Sequence, residues 1–118
     1  MSVSDFKDFP WLSPWQPISL QGREAYKLEL DLELSPAHPL YEQEFIPIAR
    51  TCDGDDILFG LKGTACRLVV VHLTFTGRPE PDGRWPRAIF YRDIDDWIMR
   101  CMIPDLARFE KTRYKDAA

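Results

Sequence analysis

From Glu44 to Tyr91 the apolar residues come in short runs divided by turn residues, the pattern of a β-meander. The runs 44–51, 56–61, 67–75 and 88–91 read as four strands. Cys52-Asp53-Gly54-Asp55 and Lys62–Cys66, with Gly63, are short reversals, so neighbouring strands are expected to run antiparallel. Pro47 has no amide proton for a ladder, which puts the first strand at an edge or at a bulge. In the third strand Val69, Val71, Leu73 and Phe75 share one side, wholly apolar and expected to face the core. Leu68, Val70, His72 and Thr74 share the other, which turns polar where the strand runs into TGRPEPDGRWPR at 76–87.

Around this meander the pattern predicts helices. In 20–34, LQGREAYKLELDLEL, the leucines alternate as in a strand, but Leu, Glu, Lys and Ala are strong helix formers and β-branched residues are absent. Tyr26, Leu30 and Leu34 also share a helical face, and helix is the reading adopted. Ser35-Pro36-Ala37-His38-Pro39 stops it. Asp93 reads as an N-cap with Asp96 three residues on, opening a helix over 93–103 whose Ile94, Trp97, Ile98 and Cys101 pack on the sheet. Pro104 ends that helix or starts another, and the polar end of the chain is expected to fray. Residues 1–19 form an arm in which Pro10, Pro14 and Pro17 forbid a regular helix. Its Phe9, Trp11, Leu12, Trp15 and Ile18 are apolar enough to lie across the domain and bury at least one Trp. The fold class is therefore α+β: one domain over 20–118, a mostly antiparallel sheet of about four strands, with a helix before it and one after.

Bulk composition narrows the function classes. At 118 residues, 45% hydrophobic and 29% charged, the chain has the size and make-up of one globular domain. A formal net charge of −4 argues against non-specific nucleic-acid binding, which needs phosphate neutralisation by Lys and Arg. Apolar runs such as Leu68–Val71 are far shorter than a membrane span, and the N-terminal residues lack the apolar stretch of a secretory signal. Cys52, Cys66 and Cys101 have no metal-like spacing, so reduced thiols and a cytoplasmic setting are expected. A strand between Cys52 and Cys66 would hold them roughly 20 Å apart, too far for a disulfide.

No catalytic or cofactor signature stands in the chain. All serines lie at or before Ser35, outside any nucleophile-elbow motif, and no glycine-rich phosphate loop occurs. Two histidines and three dispersed cysteines make no zinc set, and Asp53, Asp55 and Asp56 lack the calcium-loop pattern. No metal and no cofactor is expected. Asp93, Asp95 and Asp96 serve a helix start. Cys52 and Cys66 lie near turns but have no neighbouring base in sequence. His38, between prolines, reads as structural or exposed. His72, in a strand beside Thr74 and Thr76, is the one histidine placed to act as acid or base.

The 76–87 loop is the strongest binding candidate. Arg78, Arg84 and Arg87 interleave with Glu80, Asp82 and Trp85; Arg and Trp are frequent interface anchors, and Arg forks grip carboxylates and phosphates. The competing account is self-contained: Arg–acid pairs hold the loop while Trp85 plugs the edge of the core.

HPLY at 38–41, IAR at 48–50, DDILF at 55–59, VVHLTFTGRPEPDGRWPR at 70–87 and IFY at 89–91 resemble a family of small uncharacterised bacterial proteins. Its members carry HPL, DDVLF and HLTW-(S/T)-G-(K/R)-x-E…WP blocks. The resemblance covers about residues 35–98 and departs at Phe75, where many relatives have Trp. It implies a stand-alone cytoplasmic bacterial domain and transfers no activity.

These readings converge on a non-enzymatic binding domain with a protein partner or a second copy of itself, and with neither membrane nor nucleic acid. Arg78, Arg84, Trp85, Arg87, His72 and Thr74 would form its surface. The alternative is a small hydrolase-like enzyme with His72 as acid or base and Asp55 or Asp56 as its partner. The meander brings the start of the second strand to the end of the third, within reach of His72.

Overall fold

The computed structural model describes residues 8–62, 68–79 and 83–117. At its centre is a five-stranded antiparallel sheet whose spatial order follows the chain: β1 Trp15–Pro17, β2 Phe45–Thr51, β3 Asp56–Leu61, β4 Leu68–His72 and β5 Arg87–Tyr91. Helix α1, Leu20–Glu33, precedes the meander. Helix α2 (Ile94–Trp97), a π-helical turn (Ile98–Met102) and α3 (Ile103–Ala117) follow it. The α+β class, the antiparallel order and the flanking helices agree with the sequence reading; the sheet has five strands rather than about four. The extra strand comes from the N-terminal arm. Its three residues pair with the end of β2, Trp15 opposite Thr51 and Pro17 opposite Ala49. Pro17 is tolerated because β1 is an edge strand, where a missing amide proton leaves no ladder bond broken.

Pro47 takes the bulge rather than the edge. β2 lies between β1 and β3, and its register against β3 shifts between Pro47 and Ala49. The irregularity absorbs the residue that cannot donate.

Residues 20–33 are helical because caps and packing outweigh the leucine alternation. The Ser19 hydroxyl accepts from the Gly22 amide at 3.1 Å, satisfying one of the free N–H groups of the first turn. Leu30 and, just beyond the helix, Leu34 are buried, whereas Leu28 and Leu32 are exposed. The alternation thus describes composition, while the four-residue spacing of Tyr26, Leu30 and Leu34 describes the buried face. Tyr26 also accepts a 2.8 Å hydrogen bond from Arg50 on β2.

Both faces of the sheet are covered, giving two cores. Ile57, Phe59, Val69, Val71 and Leu73 pack with Leu30, Leu34, Leu40 and Phe45 on the α1 side. Leu58, Leu68, Val70 and Tyr91 pack with Trp15, Trp97, Cys101 and Met102 on the other. The arm joins this second core through aromatic contacts, with Trp11 and Trp15 edge-on to Trp97 at centroid distances of 5.8 and 5.3 Å. Phe75 departs from its expected place. The paired ladder ends at His72, Phe75 adopts φ +57°, and its ring is 49% exposed. Face parity holds only while the strand is paired.

The C-terminal helical run starts as its sequence predicts. The Asp93 carboxylate accepts from the Asp96 amide at 2.8 Å. Farther on, Pro104 has no amide proton to offer Arg100. Ahead of it the helix widens, and Ile103 N–H reaches the carbonyl of Ile98, five residues back. Cys52 (exposed) and Cys101 (buried) are free thiols. Cys66, and with it the expected separation from Cys52, lies outside the described residues.

Val71 is 0% exposed and sits in the α1-side core. Val71→Asp would bury a carboxylate with no partner, and a loss above about 4 kcal/mol is expected, enough to abolish a cooperative thermal transition. An unchanged melting temperature would refute this facing.

Candidate functional site

The register of the last three strands aligns the chemistry. Asp56 on β3 is the cross-strand partner of His72 on β4, and His72 is the partner of Arg87 on β5. Directly opposed residues point to the same face, so a carboxylate, an imidazole and a guanidinium stand in one row. The row closes the open end of the face that carries Leu58, Val70 and Tyr91. Asp56 is set by Thr51, a buried residue whose hydroxyl accepts the Asp56 amide at 3.3 Å and donates to its carbonyl at 3.4 Å. The Asp56 carboxylate meets His72 Nδ1 at 2.9 Å, with side-chain exposures of 43% and 51%. Asp55 contributes only its backbone carbonyl, which accepts from Leu73 at 3.1 Å. Of the two acids weighed from sequence, Asp56 is the one beside the histidine.

The row opens into a groove of about 660 Å³. Trp15, Val70, Ile89 and Tyr91 form its apolar lining; Trp85 joins Asp56, His72 and Arg87 on one side, and Arg100, Cys101, Asp105 and Arg108 from the helical run stand on the other. The helical wall is fixed by hydrogen bonds. Asp105 accepts from Trp15 Nε1 at 2.8 Å and from the Cys101 thiol at 3.4 Å, and pairs with Arg108. Arg100 lies 4.7 Å over the Tyr91 ring, donates to Asp96 at 2.7 and 2.9 Å and reaches the Phe90 carbonyl at 3.1 Å. That ion pair, with the Arg92 amide, holds the Asp96 carboxyl down at about 2. Burial, then the nearby Asp105 carboxylate, pushes the Cys101 thiol up to about 12, so it stays a thiol rather than a nucleophilic thiolate. Tyr91 is likewise raised, by burial first and then by Cys101.

Two clamps aim the loop. At its C-terminal end, His38 is buried. Its Nδ1 accepts from the Leu40 amide at 3.0 Å, so the other nitrogen carries the proton and donates to the Pro86 carbonyl at 2.7 Å. Gly83 makes this approach possible: a Cβ there would lie 2.7 Å from the Ala37 carbonyl oxygen. Pro86, not Trp85, is the buried residue, and Trp85 is 45% exposed at the groove. At the N-terminal end, Glu33 is fully buried. It accepts from Thr74 N–H and Oγ1 and from Phe75 N–H, all at 2.9 Å, while Glu29 one turn back accepts from Gly77 N–H at 3.1 Å. Burial, then the hydrogen-bonded Glu29 carboxyl, pushes Glu33 up to about 7 against the opposing effect of its three donors.

The structure thus divides the sequence-predicted surface. His72, Asp56, Trp85 and Arg87 meet at the groove. Thr74 turns its hydroxyl to Glu33 instead, because pairing has ended before it. Arg78 and Arg84 are exposed and outside the groove lining. Glu80 and Asp82, the acids expected to pair with the loop arginines, lie outside the described residues. Sequence reasoning missed Glu33 and Glu29, because nothing in an LELDLEL pattern marks one acid as buried. It also missed Asp105 and Arg108, whose only signal is their three-residue spacing on a helix. Among the described residues no group of three His, Cys, Asp or Glu side chains is placed to hold a metal ion, and no helix is long and apolar enough to cross a membrane. Comparison with protein-family models, curated proteins and solved structures gives no match.

The Glu33 shift has a definite sign. Its ordinary value is 4.5, and the folded chain keeps the proton up to about 7. The folded state therefore binds the extra proton between these values; the stabilisation is complete below 4.5 and lost as pH rises through about 7. Denaturant unfolding of the wild type should show falling stability across this window, and Glu33→Gln should lack that component. Equal pH slopes for the two proteins would overturn the assignment.

Proposed function

We propose that this chain is a non-enzymatic binding domain, cytoplasmic and bacterial, that receives its partner in the groove where Trp85 and Arg87 meet His72. The observation that carries the reading is the Asp56–His72–Arg87 row, opening beside an exposed Trp into a cleft of about 660 Å³. Concavity, an apolar lining and a few convergent polar groups are the marks of a binding site. Membership of the small bacterial family that the sequence resembles is part of the same proposal, since the DDILF and VVHLTFTGRPEPDGRWPR blocks contain all four of these groove residues. The free thiols of Cys52 and Cys101 accord with a reducing compartment.

One observation favours a second reading. A half-exposed histidine held by a carboxylate at 2.9 Å is the arrangement of a general acid–base pair. In a hydrolase of this design Asp56 would orient the ring and His72 would activate water, because Cys101 remains a thiol.

The two readings separate in one experiment. Tagged wild type, Trp85→Ala/Arg87→Ala and His72→Gln are incubated with native lysate, and retained proteins and small molecules are identified by mass spectrometry. Both loop side chains lie at the surface, so the double variant should lose no more than about 1 kcal/mol of stability. The binding reading expects a species held by the wild type and lost from the folded double variant. Equal retention by both would sink it. A species that His72→Gln accumulates but the wild type converts would establish the hydrolase instead.

A further inference from the structure

Building on the groove as the binding surface, we infer that its ligand is a small phosphate ester carrying a planar ring, a nucleoside phosphate by chemical class. The charges of the site lead to the phosphate. Both groove carboxylates are committed: Asp56 to His72, and Asp105 to Trp15, Cys101 and Arg108. Arg100 is held by Asp96 and the Phe90 carbonyl. Among the described residues Arg87 has neither an ion pair nor a side-chain hydrogen bond, and His72 Nε2 has no partner. These two groups are cross-strand partners, with Cβ atoms about 5 Å apart, close enough for one tetrahedral anion to reach both. Arg108 across the groove can supply a further N–H to a third oxygen, which a carboxylate lacks.

The ring is suggested by Trp85. It stands two residues before Arg87, lines the same groove, and is 45% exposed with no ring contact among the described residues. An indole face presented beside a phosphate-binding pair is a stacking platform for a heterocycle. The size of the cleft suits a small molecule, and a net charge of −4 disfavours a polyanionic strand over a single phosphate. With Nδ1 toward the Asp56 carboxylate, His72 donates from Nε2 only as the imidazolium, the form that a dianionic phosphate favours.

The full chain, isotope-labelled, is titrated with adenosine 5′-monophosphate, ribose 5-phosphate, adenosine and an acidic hexapeptide. Resonances are followed by NMR and affinities by calorimetry in two buffers of different ionisation heat. The nucleotide should shift the His72 ring and Trp85 indole signals and bind more tightly than either fragment. Arg87→Ala should weaken it at least about tenfold, in line with loss of a charge-assisted hydrogen bond. Trp85→Ala should reduce it to the affinity of ribose 5-phosphate, and Arg78→Ala, outside the groove, should leave it unchanged. Proton uptake, read from the buffer dependence of the heat, should vanish in His72→Gln. The ligand class is overturned if no phosphate shifts the groove signals, or if Arg87→Ala binds the nucleotide as the wild type does. Groove shifts with the hexapeptide alone also overturn it while leaving the binding reading intact. Shifts confined to another surface overturn both.

Discussion

The register of β3 against β4 and of β4 against β5 is the constraint on which the rest depends. The shared strand β4 is buried on both faces, with Val69 and Val71 facing the α1-side core and Leu68 and Val70 facing the other. A slip of one residue would exchange these sets and push His72 into a core, so the register is strongly specified. The same ladder sets Asp56, His72 and Arg87 side by side. The polar row is thus positioned by apolar packing elsewhere along the same strands, and it stands where that packing ends.

A second level of organisation comes from buried polar side chains that hold loop backbone. Glu33 gathers two amides and a hydroxyl from residues 74 and 75, and His38 bridges Leu40 and Pro86. Loops carry backbone groups that a sheet does not satisfy, and a buried carboxylate or imidazole can supply the missing partners. The consequence is positional: both ends of the segment between β4 and β5 are tied to the body, and Trp85 and Arg87 are delivered to the groove. Both His38 and Glu33 are thereby committed to holding backbone.

On the helical side the groove is shaped by a different device. Pro104 forces the widening over Ile98–Met102, after which α3 resumes and carries Asp105 and Arg108 to the wall facing the sheet. Asp105 ties that wall to β1 through Trp15 and to the π-helical turn through Cys101. The N-terminal arm is therefore part of the site architecture as well as of the core.

Much of this was legible in the sequence. Short turn-rich connections dictated an antiparallel meander, Asp93 marked a helix start, and the β3–β4 connection brought the start of one strand to the end of the next, hence Asp56 to His72. These features depend on local propensity and chain reach, which a sequence carries directly. Three others were decided by the tertiary structure. Gln16 and its neighbours become a strand only because β2 offers a free edge; Phe75 leaves the core because pairing stops at His72; Glu33 is buried because the loop after β4 folds onto α1. Each depends on a partner remote in sequence, and no local pattern encodes which remote groups will meet. Residue chemistry and strand order were thus set by the chain itself, whereas the groove, its helical wall and the division of acids between structure and site arose from packing.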